Sequence, residues 1–333
     1  MDITRKEFLA TAGAGAAGAL VLGMPGSGPR TVRAQGKELV KVPFASTHAG
    51  SIKMMSDTVR RYRLDEKRGT LWEPAHLQIN ALADALILKS KPVGCIANPV
   101  VALADAKGHP LRCFEALTIN HSSLLVRKDS PYTKLEDLKG KKVFAVTRTS
   151  GTYQSFYTVA RMLGVDPEKD FQIVFGAPEA GRRFLETGQV EAFNIYEPFP
   201  TNMLSAGTTR ELVRVRTEWK RLTGKDMFLL GVAAYEDWIV ANRDLARRVA
   251  ATVREAVDVI RGNPARTIQE NRATQSIETD AAARLAETRL IEMYTSEPLN
   301  GALIESAYFE IEKGAEFGLL NVKPRKDLWV PLG

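Results

Sequence analysis

The chain has 333 residues, 44% of them hydrophobic and 26% charged, with a formal net charge of +7. That length supports two lobes with separate cores, and the composition excludes disordered and fibrous classes. Residues 1–35 contribute +2 of the +7; the remaining +5 is spread over helices such as 243–261 rather than gathered in a run, which argues for a solvated face over a nucleic-acid surface.

Residues 1–35 read as an export signal peptide: Arg5-Lys6, then Phe8-Leu9, an Ala/Gly-rich apolar run to Met24, and Val32-Arg33-Ala34 as a small-residue cleavage site. The segment from Thr4 to Leu9 resembles the twin-arginine motif with Lys6 in place of the second arginine, so the twin-arginine and general secretory routes both stay open. Either route leads to the periplasm. No other apolar run is long enough to span a bilayer, so the mature chain is expected to be soluble and not membrane-spanning. The run from Gly13 to Gly18 matches G-x-G-x-x-G, but a dinucleotide site needs a preceding strand and an acidic residue about 20 positions on. Here the run follows Arg5-Lys6-Glu7 and would be removed with the signal.

Leu39 to Ala45 reads as a first strand, followed by the polar loop Ser46 to Ser51 and a helix carrying Ile52, Met55, Val59 and Tyr62 on one face. Thr70 to Trp72 is a short strand, Leu77 to Leu88 a helix, Val93 to Ala97 a buried strand, and Asn98-Pro99 opens a helix ending near Gly108. Leu111 to Leu117 follows, and Thr118 to His121 connects to a second lobe. There Val143 to Val146 is a strand and Thr147 to Thr152 a polar loop; a helix follows with Phe156, Val159, Ala160 and Leu163 at i, i+3, i+4 and i+7, ending at Gly164 before Pro167. Phe171 to Phe175 is a strand, Phe184 and Leu185 mark a short helix ending at Gly188, Val190 to Ile195 is a third strand, and Tyr196-Glu197-Pro198-Phe199 a turn. Thr217 to Lys225 lies beyond the second lobe. Phe228 to Ala234 is strand-like, Leu245 to Ile260 a long amphipathic helix, and helices over about 280–294 and 299–318 brace the first lobe. Strands and helices alternating through short connections imply mainly parallel sheets, whose ligands bind beyond the carboxyl ends of the strands.

The ordered set Asp137 to Lys142, Thr149 to Thr152, Leu163 to Pro167, Gly188 to Ala192 and Tyr196 to Pro198 resembles the substrate-binding proteins of nitrate/sulfonate/taurine-type ABC transporters, a group related to thiamine-pyrimidine synthase-like proteins. The likeness covers most of the chain beyond residue 36. It implies an α/β, two-lobed, type II periplasmic-binding fold, each lobe a mainly parallel sheet flanked by helices, with two crossover segments. Lobe one would be 36–120 plus 226–333, and lobe two 121–225. It further implies a small polar or anionic solute (sulfonate, nitrate, carboxylate or zwitterion) held in the interlobe cleft by hinge closure. The partners would be an ABC permease and its ATPase, and the chain itself a monomer. A solute sensor for a membrane receptor is the alternative. A synthase-like enzyme is the remote one, since the chain lacks the cysteine-rich, iron-handling motif such an activity needs.

Thr149, Ser150, Gly151 and Thr152 precede a helix whose free N–H groups and positive dipole end suit an anion, with helix capping as the competing role. Arg148 offers a planar, two-pronged donor. Ser46, Thr47 and His48 hold the equivalent strand end of lobe one, where Ala49-Gly50 departs from the family's Ala-Pro pair. Asn98 can present its amide to the cleft or cap its own helix. Asn194, Tyr196 and Glu197 close lobe two's third strand. A carboxylate beside an anion is unfavourable, so a ligand-facing Glu197 would accept from an amine or a backbone N–H. Phe228 offers an apolar wall or a core side chain. Neither a catalytic constellation nor a metal-ligand spacing appears, so no cofactor and no metal is expected. Cys95 and Cys113 are compatible with a disulfide or with two buried thiols.

Overall fold

The computed structural model describes residues 30–34, 37–79, 81–295 and 297–332. Most of the expected export segment lies outside them. Of its residues, 31–34 form strand β1 (Thr31–Ala34), paired antiparallel with β2 (Lys37–Thr47).

Two sheets organise the chain. The first has the order β1-β2-β4-β11-β5, with β3 also paired to β2; β3 is Thr70–Leu77, β4 Val93–Ala97, β5 Leu111–Ile119 and β11 Phe228–Tyr235. The second has the order β10-β6-β9-β7-β8, from Ser122–Arg127 (β6), Lys142–Ala145 (β7), Gln172–Phe175 (β8), Ala192–Tyr196 (β9) and Thr209–Arg214 (β10). The parallel cores are β3-β2-β4 and β8-β7-β9; β11 and β6, which carry the chain back after each passage between sheets, pair antiparallel with their neighbours. The sheets are therefore mixed, because a strand that enters directly from the other sheet runs opposite to the βαβ units beside it.

β4 and β5 are buried along their whole length, as fits strands covered on both faces. The helix Arg243–Gly262 turns Leu245, Val249, Val253, Ala256 and Ile260 into the first sheet's core, the i, i+4, i+8 stripe read from sequence. Helix Gly301–Glu316 does more than brace the first sheet. Its Leu303, Ala307 and Ile311 share one core with Tyr153, Phe156 and Trp219 of the second, and the Trp219 indole N–H donates to Ser306 Oγ (3.2 Å). Val215–Thr223, expected as part of a crossover, is a helix that buries Val215 and Trp219. Cys95 and Cys113 are free, buried thiols on β4 and β5, which β11 separates. Among the described residues no helix is long and apolar enough to cross a membrane.

Candidate functional site

On the first sheet the chain leaves β2 and enters helix Gly50–Arg61 at Ala49, which supplies no side-chain cap. Gly50 takes φ +80°, a left-handed value that a side chain would strain. The Gln275 amide holds this turn from both ends, accepting the Gly50 N–H (3.2 Å) and donating to the Gly50 carbonyl (3.2 Å). Ser46 is buried and shares a hydrogen bond with Ser56 (2.9 Å), whereas the Thr47 hydroxyl donates to the Ala49 carbonyl (2.8 Å). Both hydroxyls therefore shape the loop. His48 is exposed, its ring 6.3 Å from that of His76.

On the second sheet Ser150 caps helix Gly151–Met162: its Oγ accepts the Tyr153 N–H (3.2 Å) and donates to the Thr147 carbonyl (2.8 Å). Thr149 is exposed beside it, and Thr152 is buried. Arg148 corrects the expectation of an anion clamp. It points outward and grips Glu168 through Nε and Nη2 (2.6 and 3.1 Å), so its bidentate capacity is spent on the surface.

The two helix starts approach the opposite lobes reciprocally. A Cβ built on Gly151 would lie 2.4 Å from the Ala97 Cβ at the end of β4 and 3.4 Å from Leu229 Cδ1, and one built on Gly50 would lie 3.6 Å from the Glu197 carbonyl oxygen. Between them run the crossovers, where the Asn120 N–H donates to the Met227 carbonyl (2.7 Å) and the Glu197 N–H to the His121 carbonyl (3.3 Å). His121 is buried with neither ring nitrogen hydrogen-bonded, and burial pushes its pKa down to about 4, so the ring is neutral at pH 7. Asn120 Nδ2 and Asn194 Oδ1 are likewise buried without partners. Tyr196 is half-buried and edge-on to His121, ring centroids 6.5 Å apart; burial pushes its phenol up to about 12. Around His121, Asn120, Asn194 and Tyr196 this seam holds neutral donors and acceptors able to dipole-stabilise a polar solute, with Arg216 adding to the burial that keeps the His121 ring neutral.

Three further expected contacts are spent inside the fold. The Asn98 amide donates to the Phe228 and Leu229 carbonyls (2.9 and 3.2 Å) and accepts the Trp329 indole N–H (2.8 Å), which corrects its reading as a cleft residue. Phe228 itself is fully buried in the core shared by the two sheets. Both oxygens of the buried Glu197 carboxylate are taken by protein donors. Its Oε1 accepts from Arg289 Nε (2.8 Å) and its Oε2 from the Thr201 N–H and hydroxyl (3.1 and 2.7 Å). Burial nonetheless raises its pKa, with Arg289 and Thr201 opposing. The sequence reading did not single out Gln275, Arg289 or His121. Only His121 carried a signal, a histidine among polar residues at the passage between lobes. A cavity of about 780 Å³ lies against the same crossovers, lined among others by Ile119, Arg216, Lys225, Glu292 and Tyr294, whose hydroxyl donates to the Ser51 carbonyl at the first helix start (2.6 Å). No group of three His, Cys, Asp or Glu side chains placed to hold a metal occurs among the described residues.

Two mixed sheets flanked by helices, two crossovers, and helix starts that each approach the opposite lobe make up a periplasmic-binding-protein fold. The chain belongs to the NMT1/THI5-like family, whose model matches residues 80–267. Among solved structures it is similar to the periplasmic aliphatic sulphonate binding protein SsuA from Escherichia coli (22% identity, TM-score 0.72, covering 87% of this chain and 92% of that one). It is also similar to the alkanesulfonate-binding protein SsuA from Xanthomonas axonopodis pv. citri bound to MOPS (18%, 0.71, 86% and 96%). A third is the periplasmic nitrate-binding protein NrtA from Synechocystis PCC 6803 (14%, 0.66, 87% and 87%). No curated protein matches the chain.

Proposed function

We propose that this chain is the solute-binding component of an ABC importer. It takes a small polar or anionic solute (a sulfonate, nitrate, a carboxylate or a zwitterion) between its lobes and delivers it to a permease and ATPase, without bond chemistry. The lobes are 36–120 with 226–333, and 121–225; the protein works in the periplasm after removal of residues 1–35. The observation that carries the reading is the reciprocal approach of the two uncharged helix starts, Gly50 toward the Glu197 turn and Gly151 toward Ala97. Each start directs backbone N–H groups and a positive dipole end at the seam, an arrangement suited to oxyanions and carboxylates. The remaining solute-facing candidates are His48, Thr149, the backbone at Gly151 and Thr152, Asn194 and Tyr196, joined by Asn120 and His121. The sulfonate- and nitrate-binding neighbours support this solute range.

Closure follows from differential affinity: a solute that touches both lobes stabilises the closed state by the contacts the open state lacks. The test is a thermal-shift screen of the mature chain against sulfonates, nitrate, carboxylates, amino acids and pyrimidines. A true solute at about 100 times its dissociation constant adds about 2.7 kcal/mol of stability. A flat response across all five classes overturns the solute range.

A further inference from the structure

We propose that Arg289 is a positioning residue for solute binding, a latch that reaches from lobe one to two carboxylates of lobe two and holds the Tyr196-Glu197 turn in its closed place. The inference rests on the solute-binding reading and adds to it the residue that sets closed-state affinity.

Arg289 ends the helix Asp280–Arg289, whose Ala282 and Ala286, with Leu290 and Ile291 just beyond, are packed in the first sheet's core. The residue is buried (7% exposed), and its fork is fully directed at the other lobe. Nε donates to Glu197 Oε1 (2.8 Å), Nη1 to Glu211 Oε2 (3.0 Å) and Nη2 to Glu211 Oε1 (2.7 Å). The carboxylates are anchored in their own lobe, Glu197 by Thr201 and Glu211 by the Ser123 hydroxyl (2.5 Å). One guanidinium therefore serves two carboxylates, the buried Glu197 on the turn after β9 and the half-buried Glu211 on β10. A second polar contact runs alongside: Asn202 Nδ2 donates to the Gln275 carbonyl (3.3 Å), and Gln275 grips Gly50. Two separate sets of bonds thus tie the lobes together, one at the Glu197 turn and one that runs from Asn202 through Gln275 to the Gly50 helix start.

An opening that separates the Glu197 turn and β10 from helix Asp280–Arg289 breaks all three guanidinium bonds and leaves two carboxylates beside each other without this cation. Removing one member of such a buried group destabilises the arrangement far more than an exposed pair would. The latch therefore raises the closed fraction of the solute-free chain without emptying the open one, and a solute that contacts Tyr196 draws the remaining open molecules onto a preformed wall.

The test compares wild type with Arg289→Met, Arg289→Lys and Glu211→Gln by small-angle scattering of the solute-free chain. Dissociation rates are then measured with whichever of taurine, nitrate or the other screened compounds binds wild type. Arg289→Met is expected to enlarge the radius of gyration and to speed dissociation roughly tenfold or more, as loss of a buried charged contact does. Arg289→Lys, which keeps the charge and loses the fork, should fall between Met and wild type, and Glu211→Gln should give a smaller expansion. If Arg289→Met does not fold, the Lys and Gln variants decide. Folded variants with wild-type scattering and wild-type dissociation overturn the latch, even if their melting points drop, since a plain structural brace would lower only those. If no compound binds wild type but Arg289→Met still expands, the interlobe latch stands and the solute range falls.

Discussion

Gly151 meets Ala97 across the seam between the sheets so closely that a Cβ on the glycine would stand 2.4 Å from the alanine's own. The contact works only because the residue opening the second lobe's helix has no side chain. Gly151→Ala should hold the lobes apart at this point. Overpacking of this kind costs about 1–3 kcal/mol, which corresponds to roughly 5- to 150-fold in affinity. Titration calorimetry against the solute found by screening measures it; unchanged affinity would mean that the contact is not part of closure.

Thr149 and Ser150 separate ligand contact from capping. The Ser150 hydroxyl accepts the Tyr153 N–H, so Ser150→Ala should cost about 1 kcal/mol of stability whatever the solute does. Thr149 is exposed and caps nothing, so Thr149→Ala should leave the melting point within experimental error while weakening binding. Paired melting and affinity measurements on the two variants check this, and a Thr149 variant that binds normally removes that hydroxyl from the site.

Glu310 sits buried between the sheets, with Oε1 accepting the Ser155 hydroxyl (2.5 Å) and Oε2 without a partner. Burial raises its pKa to about 8, with Ser155 opposing. The folded chain therefore holds a proton that the unfolded chain releases near pH 4.5, and the stability linked to this group falls as pH rises from about 4.5 to about 8. Glu310→Gln should remove that slope, leaving the variant more stable than wild type above pH 8 and similar to it near pH 4.5. Denaturant titrations at the two pH values test the sign.

His121 acts in the opposite direction. Its folded pKa of about 4 lies below the ordinary value, so its contribution is intact above pH 6.5 and is lost as pH falls toward 4. The full loss is on the order of 3 kcal/mol, since each pKa unit is worth about 1.4 kcal/mol. His121→Gln should flatten the acid limb of the stability profile. Parallel acid limbs in wild type and variant would show that the imidazole titrates in contact with water.

The sequence disclosed what depends on neighbouring positions. The Phe156, Val159, Ala160 pattern gave helix Gly151–Met162, and the apolar runs gave β4 and β7, because periodicity and burial are local properties. β6 and β10 escaped notice. They pair with each other across a bulge at Glu211/Val213, and Ser122-Ser123 and Arg210-Glu211 interrupt their apolar signal. The site was less legible than the fold for a related reason. Asn98 looks free until Trp329, 231 positions away, takes its oxygen, and Glu197 looks available until Arg289, 92 positions on, claims it. Polar side chains at strand ends announce that they need partners; which partner is settled only by the tertiary arrangement.

Small-angle scattering of the mature chain with and without a solute that raises its melting point bears most directly on the two-lobed binding account. A smaller radius of gyration in the bound state, reduced by the same amount in Thr149→Ala once saturated, is the predicted result. A scattering curve that does not change on saturation, in a wild-type chain that is open without solute, would contradict closure around the ligand.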